Sequence, residues 1–254
     1  MFDIDGTLLQ SDINEIPEST LIAINKLARA GHDLGIATGR PYYLVDERIK
    51  ALPFNVFITA NGQHITYNNE VIYENPIPAD VILELVEHAK TTNTPVGLCS
   101  TSTYTVTHEH PEVLASFTRA SMPMPEIIPD LHEKESILQA WYFSDNYHEL
   151  AKKYEQSIRF VPWLEFGADI VPLTGSKAEG INYLMTHLDT VPKRLITIGD
   201  GFNDIEMLEL ADIGIAMGNA HDEVKKHANY VTKPIHEDGV DAACRHFNLY
   251  KLVD

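Results

Sequence analysis

The feature that most constrains the fold is the alternation of strands and helices in two separate stretches of the chain. Before residue 77, apolar strands such as Leu34–Ala37 and Val56–Thr59 alternate with helical patterns such as Pro17–Ala30, and the alternation returns after Pro172. Strands that alternate with helices form a parallel sheet that is covered on both faces. The residues between the two stretches mix strands and helices without this order, which is typical of a separate α+β module.

We therefore predict an α/β protein with one doubly wound, Rossmann-like parallel-sheet core. The core is formed by residues 1–77 and 172–254, and an inserted α+β domain occupies residues 78–171. A chain of 254 residues is long enough for a large domain that carries such an insertion.

Two local patterns in the core predict particular structures. Pro41 at a first helical position predicts a helix that runs to about Lys50. The alternating segment Ile65–Tyr73 is interrupted by Asn68 and Asn69, which predicts a hairpin with its turn at these two residues.

Polar side chains cluster at the ends of the predicted core strands. The clusters are Asp3-Ile-Asp5-Gly-Thr7, Thr38-Gly39-Arg40, the stretch before Lys177, and Gly199-Asp200-Gly-Phe-Asn203-Asp204. Ligands bind beyond the carboxyl ends of parallel strands, so the fold can gather these clusters into one site. Carboxylates crowded together repel each other unless a cation is present, and oxygen ligands of this kind suit Mg²⁺.

Each cluster taken singly also has a purely structural interpretation. An Asp-x-Asp-Gly segment is often only a turn, Lys177 alone is typical of a solvated helix surface, and Asp200–Asp204 can cap the following helix. Their joint occurrence at predicted strand or helix ends favours chemistry. The sequence has no GxxxxGK[ST] loop, no GxGxxG after a strand and no GxSxG motif. Three histidines lack HExxH spacing, and we interpret them as surface or substrate-facing residues rather than zinc ligands: His108, His110 and His132.

The four clusters resemble motifs one to four of the haloacid dehalogenase superfamily. The strong fourth motif, the insertion between motifs two and three, and Asn61-Gly62 resemble the Cof-type subfamily IIB, which carries a C2B-type cap. This resemblance implies a Mg²⁺-dependent phosphatase that hydrolyses small phosphomonoesters, such as sugar phosphates or similar metabolites, through an aspartyl-phosphate intermediate. Two alternatives stay open: a phosphomutase on the same core, which would transfer phosphate between positions of a sugar, and a non-catalytic phosphometabolite-binding protein without turnover.

The resemblance also implies a role for each site residue. Asp3 would attack phosphorus, and Asp5 would protonate the leaving oxygen and later deprotonate a water molecule. Mg²⁺ would be held by the Asp3 carboxylate, the Asp5 backbone carbonyl and Asp200, with Asp204 acting indirectly or through water. The phosphoryl oxygens would be bound by Thr38, the Gly39 amide, Lys177 and Asn203.

The remaining expectations concern the cleft and the inserted domain. Arg40 would line the cleft entrance or pair with an acidic neighbour. Residues 78–171 would form a cap that opens and closes over the site and supplies most substrate contacts. The candidate contacts in the cap are His108, His110, Arg119 and Trp141.

Charge and composition limit the partners of the chain. A formal net charge of -18 argues against a nucleic-acid partner, whereas a bound cation can still make a cleft suitable for a small phosphorylated metabolite. No stretch is long and apolar enough to cross a membrane, no secretory signal begins the sequence, and Cys99 and Cys244 are expected to be reduced core thiols. We therefore expect a cytoplasmic monomer or homodimer without nucleic-acid or membrane partners.

The first strand departs from the family pattern. Only Met1 and Phe2 precede Asp3, whereas the family usually has several apolar residues in this strand. Our hypothesis is that the natural protein begins upstream. An intact mass that matches a start at Met1, measured on protein from its native locus, would contradict this hypothesis.

Overall fold

The computed structural model describes residues 1–10, 13–119, 122–163, 167–188 and 194–250. Within these ranges the α-helices are α1 (Glu18–Arg29), α2 (Glu47–Lys50), α3 (Ala79–Thr92), α4 (Pro111–Arg119), α5 (His148–Lys153), α6 (Lys177–His187), α7 (Ile205–Leu210), α8 (Asp222–Lys226) and α9 (Gly239–His246). The strands are β1 (Gly35–Ala37), β2 (Val56–Thr59), β3 (His64–Tyr67), β4 (Glu70–Glu74), β5 (Val96–Cys99), β6 (Tyr104–Val106), β7 (Glu126–Ile127), β8 (Gln139–Tyr142), β9 (Ile158–Pro162), β10 (Ala168–Pro172), β11 (Ile196–Gly199), β12 (Ile213–Ala216) and β13 (Tyr230–Val231).

The core sheet consists of two groups of strands that are joined by the first residues of the chain. Strands β1 and β2 are parallel and continue into antiparallel β3 and β4, while β11, β12 and β13 are all parallel. Phe2 pairs in parallel with Ile36 of β1 on one side and with Ile198 of β11 on the other. The predicted parallel-sheet core is therefore confirmed, and the segment before Asp3 lies at its centre.

Helices cover both faces of the core sheet. Ile24 of α1 and Cys244 of α9 are buried in a cluster with Ile36, whereas Ile181 of α6 and Met207 of α7 are buried in a different cluster. That second cluster contains Ala37, the neighbour of Ile36 in β1, and successive strand residues point to opposite faces. The core is thus doubly wound, as the alternation of strands and helices predicts.

A second, mainly antiparallel sheet has the strand order β7-β6-β5-β8-β10-β9. One face packs against α3 through residues such as Tyr142 of β8 and Leu85 of α3. The other face carries Trp141, which packs with Phe117 of α4. This arrangement is the α+β module that the sequence indicates, while the division of the chain at residues 78 and 171 stays a prediction.

The predicted helix from Pro41 to Lys50 is wrong. A 3-10 turn at Tyr42–Leu44 is followed by Val45 in an extended conformation, and α2 then begins after Asp46. The Asp46 carboxylate accepts a hydrogen bond from the Arg48 backbone amide (2.8 Å), so it caps a new helix instead of continuing an old one. Val45 is buried in the core, which favours the break at this residue.

The predicted hairpin is confirmed. Asn68 (φ 51°) and Asn69 (φ 66°) both adopt left-handed backbone conformations between β3 and β4. Such a turn matches the twist of the flanking strands, and asparagine tolerates it well.

Two further expectations concern membrane segments and cysteines. None of the described helices combines the length and the apolar character that a membrane span requires. Cys99 and Cys244 are both free and buried, as expected for core thiols.

Candidate active site

The position of Asp3 follows from the backbone pairing of the first residues. The Phe2 amide donates to the Gly35 carbonyl (2.9 Å), and the Asp3 amide donates to the Ile198 carbonyl (2.9 Å). Asp3 therefore stands at the carboxyl edge of the sheet between β1 and β11, where ligands of parallel sheets bind. The residue is only 5% exposed, so its charge is largely removed from water.

Asp3, Asp200 and Asp204 form a compact acidic cluster, in which one oxygen of each carboxylate lies within 4.8 Å of the others. Burial, followed by the charge of Asp204, raises the pKa of Asp200 to about 7. The same two causes, in the same order, raise the pKa of Asp3 well above its ordinary range. Carboxylates this close to each other are poorly stabilised in their ionised form unless a cation is added.

Lys177 supplies one positive charge to the cluster. Its Nζ lies 2.6 Å from Asp3 Oδ1 and 2.6 Å from Asp204 Oδ1, and the side chain is 1% exposed. It is the first residue of α6, whose N-terminus is capped by Ser176. Burial alone would favour the neutral amine, but the Asp204 and Asp3 carboxylates outweigh it and raise the pKa of Lys177. Lys177 is therefore a buried ammonium group.

Asp204 has both carboxylate oxygens engaged by the protein. Oδ1 accepts from Lys177, and Oδ2 accepts from the backbone amides of Asp200 and Gly201 (2.8 Å each). The Asp204 carboxylate thus fixes the backbone that carries Asp200. This geometry suits the indirect role that the sequence analysis expects for Asp204.

Asp5 lies at the edge of the cluster, where it forms a bidentate ion pair with Arg40. Arg40 Nε donates to Asp5 Oδ2 (2.8 Å), and Arg40 Nη2 donates to Asp5 Oδ1 (2.6 Å). The Asp5 side chain is 43% exposed, so it can reach a ligand from the solvent side. Arg40 therefore has both of the roles considered for it in the sequence: it pairs with an acidic neighbour, Asp5, and it lines the cavity above Asp3.

The other predicted phosphate-binding residues surround the same point. Thr38 is buried, and its Oγ1 accepts from the Arg40 amide (3.1 Å). Gly39 lines the cavity, and a Cβ atom there would lie 3.3 Å from the side-chain nitrogen of Asn203. Asn203 Nδ2 donates to Asn61 Oδ1 (2.9 Å), which fixes the orientation of its amide. The structure thus brings together all eight residues that the sequence analysis assigns to the site.

Sequence reasoning missed a buried polar network beside this site. Asn61 has a left-handed backbone (φ 52°), and its Nδ2 donates to Asp169 Oδ2 (2.8 Å) and to Gln139 Oε1 (3.1 Å). Trp163 Nε1 donates to Asp169 Oδ1 (3.0 Å), and burial raises the pKa of Asp169 to about 6. Two sequence features point to this network. Asp169 is a charged residue within the apolar run Ala168–Pro172, and the Asn61-Gly62 signature has no role in the predicted site.

A cavity of about 570 Å³ lies between the two sheets and has Asp3 and Asp5 in its lining. Arg119 and Trp141, two of the candidate cap contacts, line this cavity, whereas His108 and His110 lie outside its described lining. A smaller cavity of about 290 Å³ lies on the Asp200 side of the site. Cavities of the larger size are typical of small-molecule sites.

The donor set fits a divalent cation such as Mg²⁺. Three carboxylates meet at one point, those of Asp3, Asp200 and Asp204, and the single ammonium group of Lys177 contacts two of them, Asp3 and Asp204. A divalent cation would offset the remaining negative charge of the ionised cluster. Carboxylate oxygens are also the hard ligands that Mg²⁺ prefers.

Comparison with known proteins places these features in a family. The family model for haloacid dehalogenase-like hydrolases matches residues 1–243. The putative phosphatase YkrA of Bacillus subtilis is 38% identical over 251 residues, which cover 98% of this chain and 97% of YkrA. The 5-amino-6-(5-phospho-D-ribitylamino)uracil phosphatase YitU of the same organism is 30% identical, with 94% of this chain and 93% of YitU covered.

Two solved structures have the same fold over nearly the whole chain. A hypothetical protein from Geobacillus kaustophilus has a TM-score of 0.87 at 33% identity, with 98% of this chain and 97% of that chain covered. The subclass IIB sugar phosphatase BT4131 has a TM-score of 0.86 at 28% identity, with 98% of each chain covered.

Proposed function

We propose, given that the chain belongs to the haloacid dehalogenase-like hydrolases, that it hydrolyses small phosphomonoesters through a phosphorylated Asp3 with Mg²⁺ as cofactor. The chain is a phosphoric monoester hydrolase of this family, as its relatives are named phosphatases. The observation that carries the proposal is the buried Asp3 carboxylate, held by Lys177 within an acidic cluster and open to a cavity of metabolite size.

Asp3 would act as the nucleophile. One carboxylate oxygen forms a bond to phosphorus while the bond from phosphorus to the ester oxygen breaks, which leaves an acyl phosphate on Asp3. Water then attacks the same phosphorus, inorganic phosphate is released, and the Asp3 carboxylate is restored. Lys177 holds Asp3 Oδ1 at 2.6 Å and so limits the rotation of the attacking group.

Asp5 would transfer the protons for both steps. It gives a proton to the leaving oxygen in the first step and takes one from the attacking water in the second. Because both of its oxygens are bound by Arg40, the Asp5 side chain has to turn away from Arg40 to reach the substrate. Its partial exposure leaves room for this movement.

The remaining residues would bind the phosphoryl group and the metal. Thr38, the Gly39 amide, Lys177 and Asn203 would donate hydrogen bonds to phosphoryl oxygens as negative charge develops on them. When bound by the Asp3 carboxylate, the Asp5 backbone carbonyl and Asp200, Mg²⁺ would offset the charge of these oxygens and of the cluster itself. Asp204 would act indirectly, by holding the backbone at Asp200.

Residues 78–171 would form a cap over this site. The cavity is lined by residues of both sheets, and an ion pair between Arg159 of β9 and Glu206 of α7 links the two parts of the chain. An opening movement that breaks such an exposed ion pair costs little energy, so it would admit substrate and release product.

The experiment that tests this proposal measures phosphate release from a panel of phosphomonoesters, in Mg²⁺ and in EDTA. Asp3→Asn should abolish turnover, whereas the matched control Asp130→Asn, at an exposed ion pair with Lys134, should retain it. Borohydride reduction during turnover should convert the phosphorylated Asp3 to homoserine, which peptide mass spectrometry detects. Turnover that persists in Asp3→Asn would refute the nucleophile, and turnover in EDTA would refute the metal requirement.

A further inference from the structure

The cavity above Asp3 is walled by aromatic side chains, and we propose that the leaving group of the natural substrate carries a planar aromatic ring that binds against them. The inference rests on the proposed function and adds the class of substrate. The chain has two tryptophans, and both line this one cavity together with Asp3. The wall also includes Phe117 and Phe143.

The aromatic residues of the wall form two edge-to-face pairs. Phe117 and Trp141 have ring centroids 5.5 Å apart at an interplanar angle of 75°, and Phe143 and Trp163 are 5.6 Å apart at 68°. Aromatic rings that pack edge to face accept a further ring in the same pattern. Trp163 is half-buried, whereas the other three rings of the wall are buried and reach the cavity with only a small part of their surface. A planar ligand can therefore continue the same packing pattern into the cavity.

Two glycines make room for the two tryptophans. Gly97 of β5 lies opposite Trp141 of β8, and a Cβ atom at Gly97 would lie 2.6 Å from Trp141 Cε3. Gly167 has a φ of 109°, and a Cβ atom there would lie 2.5 Å from Trp163 Cε3. Any larger residue at either position would displace an indole, so the local backbone is fitted to these two rings.

The polar groups in the wall are directed mainly at each other. Asp169 Oδ1 accepts from Trp163 Nε1 and from Gln139 Nε2, while Asp169 Oδ2 accepts from Asn61. A sugar ring needs several directed hydrogen bonds to its hydroxyl groups, and Asp169, Gln139 and Trp163 already use much of this capacity on each other. A flat apolar ring needs only contact area, which the aromatic walls provide.

The size of the cavity also suits an aromatic phosphate ester. Its volume of about 570 Å³ exceeds the roughly 150 Å³ cavity that is enough to bind benzene in an engineered protein core. The remaining space accommodates the phosphate group above Asp3 and substituents on the ring.

A matched pair of substrates tests the inference. Benzyl phosphate and cyclohexylmethyl phosphate both release a primary alcohol and have rings of six carbons, but only benzyl phosphate has a planar aromatic ring. We expect kcat/KM of the full chain with Mg²⁺ to be about two- to tenfold higher for benzyl phosphate than for cyclohexylmethyl phosphate, and higher than for glucose 6-phosphate. Equal values, or a preference for glucose 6-phosphate, would overturn the inference. Absence of turnover with every ester would instead refute the proposed function.

Two substitutions test whether the aromatic wall of the cavity causes the preference for benzyl phosphate. Trp141→Leu should reduce the ratio of benzyl to cyclohexylmethyl turnover toward one. The control Tyr147→Leu removes an aromatic ring that stacks on Phe160, outside the described lining of the cavity, and should leave the ratio unchanged. An unchanged ratio in Trp141→Leu would contradict the assignment of this wall.

A binding measurement gives an independent result without turnover. Because both indoles line the cavity, benzyl phosphate added to the Asp3→Asn variant should change the tryptophan fluorescence at saturation. Its Kd should be about two- to tenfold lower than that of cyclohexylmethyl phosphate. Equal dissociation constants would overturn the inference even if the variant has no activity.

Discussion

Replacement of Lys177 tests the electrostatic design of the site. In Lys177→Met the two contacts of 2.6 Å to Asp3 and Asp204 are lost, and two buried carboxylates keep no cationic neighbour at that point. Removal of one partner of a buried ion pair costs about 3–5 kcal/mol, because the remaining charge stays buried without compensation. We therefore expect the free energy of unfolding at pH 7 in EDTA to fall by about 3–5 kcal/mol.

The assay is urea unfolding followed by far-UV circular dichroism. This signal reports on the whole chain, whereas tryptophan fluorescence would report on the second sheet, in or beside which Trp141 and Trp163 lie. Lys226→Met is the matched control, since Lys226 forms an exposed ion pair with Glu223 and should change stability by less than about 1 kcal/mol.

Mg²⁺ adds a second measurement on the same variant. A divalent cation at the acidic cluster supplies positive charge close to the lost ammonium group, so Mg²⁺ should recover part of the stability that Lys177→Met loses. A loss of less than about 1 kcal/mol in EDTA, similar to that of Lys226→Met, would refute the reasoning that Lys177 compensates two buried charges.

Three other predictions concern the cluster, the polar network and the aromatic wall. The pKa of Asp200 is raised to about 7, so this carboxyl group is harder to ionise in the folded state than in the unfolded state. In EDTA the free energy of unfolding should therefore fall as pH rises from about 4 through 7, and Mg²⁺ should reverse this loss. Equal pH profiles of thermal unfolding with and without Mg²⁺ would contradict this prediction. In Asn61→Gly the residue can still adopt the left-handed backbone conformation, but the Asn203 amide loses its hydrogen-bond acceptor. Steady-state kinetics should show kcat reduced by up to about a hundredfold, while the circular dichroism spectrum stays unchanged. An unchanged kcat would refute the positioning role of Asn61. Gly97→Ala should lower the free energy of unfolding by about 1–3 kcal/mol because its methyl group collides with Trp141, and a wild-type urea midpoint by tryptophan fluorescence would contradict this.

The part of the site that follows from strand ends could be predicted from the sequence. Asp3 and Asp200 each follow a parallel core strand or strand segment, and parallel strands bring their carboxyl ends to one edge of the sheet. Lys177 follows β10 of the second, antiparallel sheet instead, and it reaches the site as the first residue of α6. The sequence also indicates the hairpin, because the turn depends only on Asn68 and Asn69 themselves. These features depend on local chemistry and on one general rule of sheet geometry.

Features that depend on packing between the two sheets could not be predicted. Asn61 contacts Gln139 and Asp169 only because the second sheet faces the core at this position. Gln139 lies 78 residues and Asp169 108 residues after Asn61, and nothing in these spacings indicates the contact. The break at Val45 likewise reflects burial of its side chain in the core rather than helix propensity.

The pairing of the first residues also has a consequence for the order of folding. The Asp3 backbone is held between β1, which follows about thirty residues later, and β11, whose contact with Met1 spans 195 residues of sequence. Contacts of such high sequence separation form late, since the loop between them has to close first. During synthesis Asp3 would leave the ribosome before β11, so it would find its lasting neighbours only after β11 had followed. We therefore expect an incomplete chain to be catalytically silent, with the acidic cluster dispersed until the last third of the protein exists.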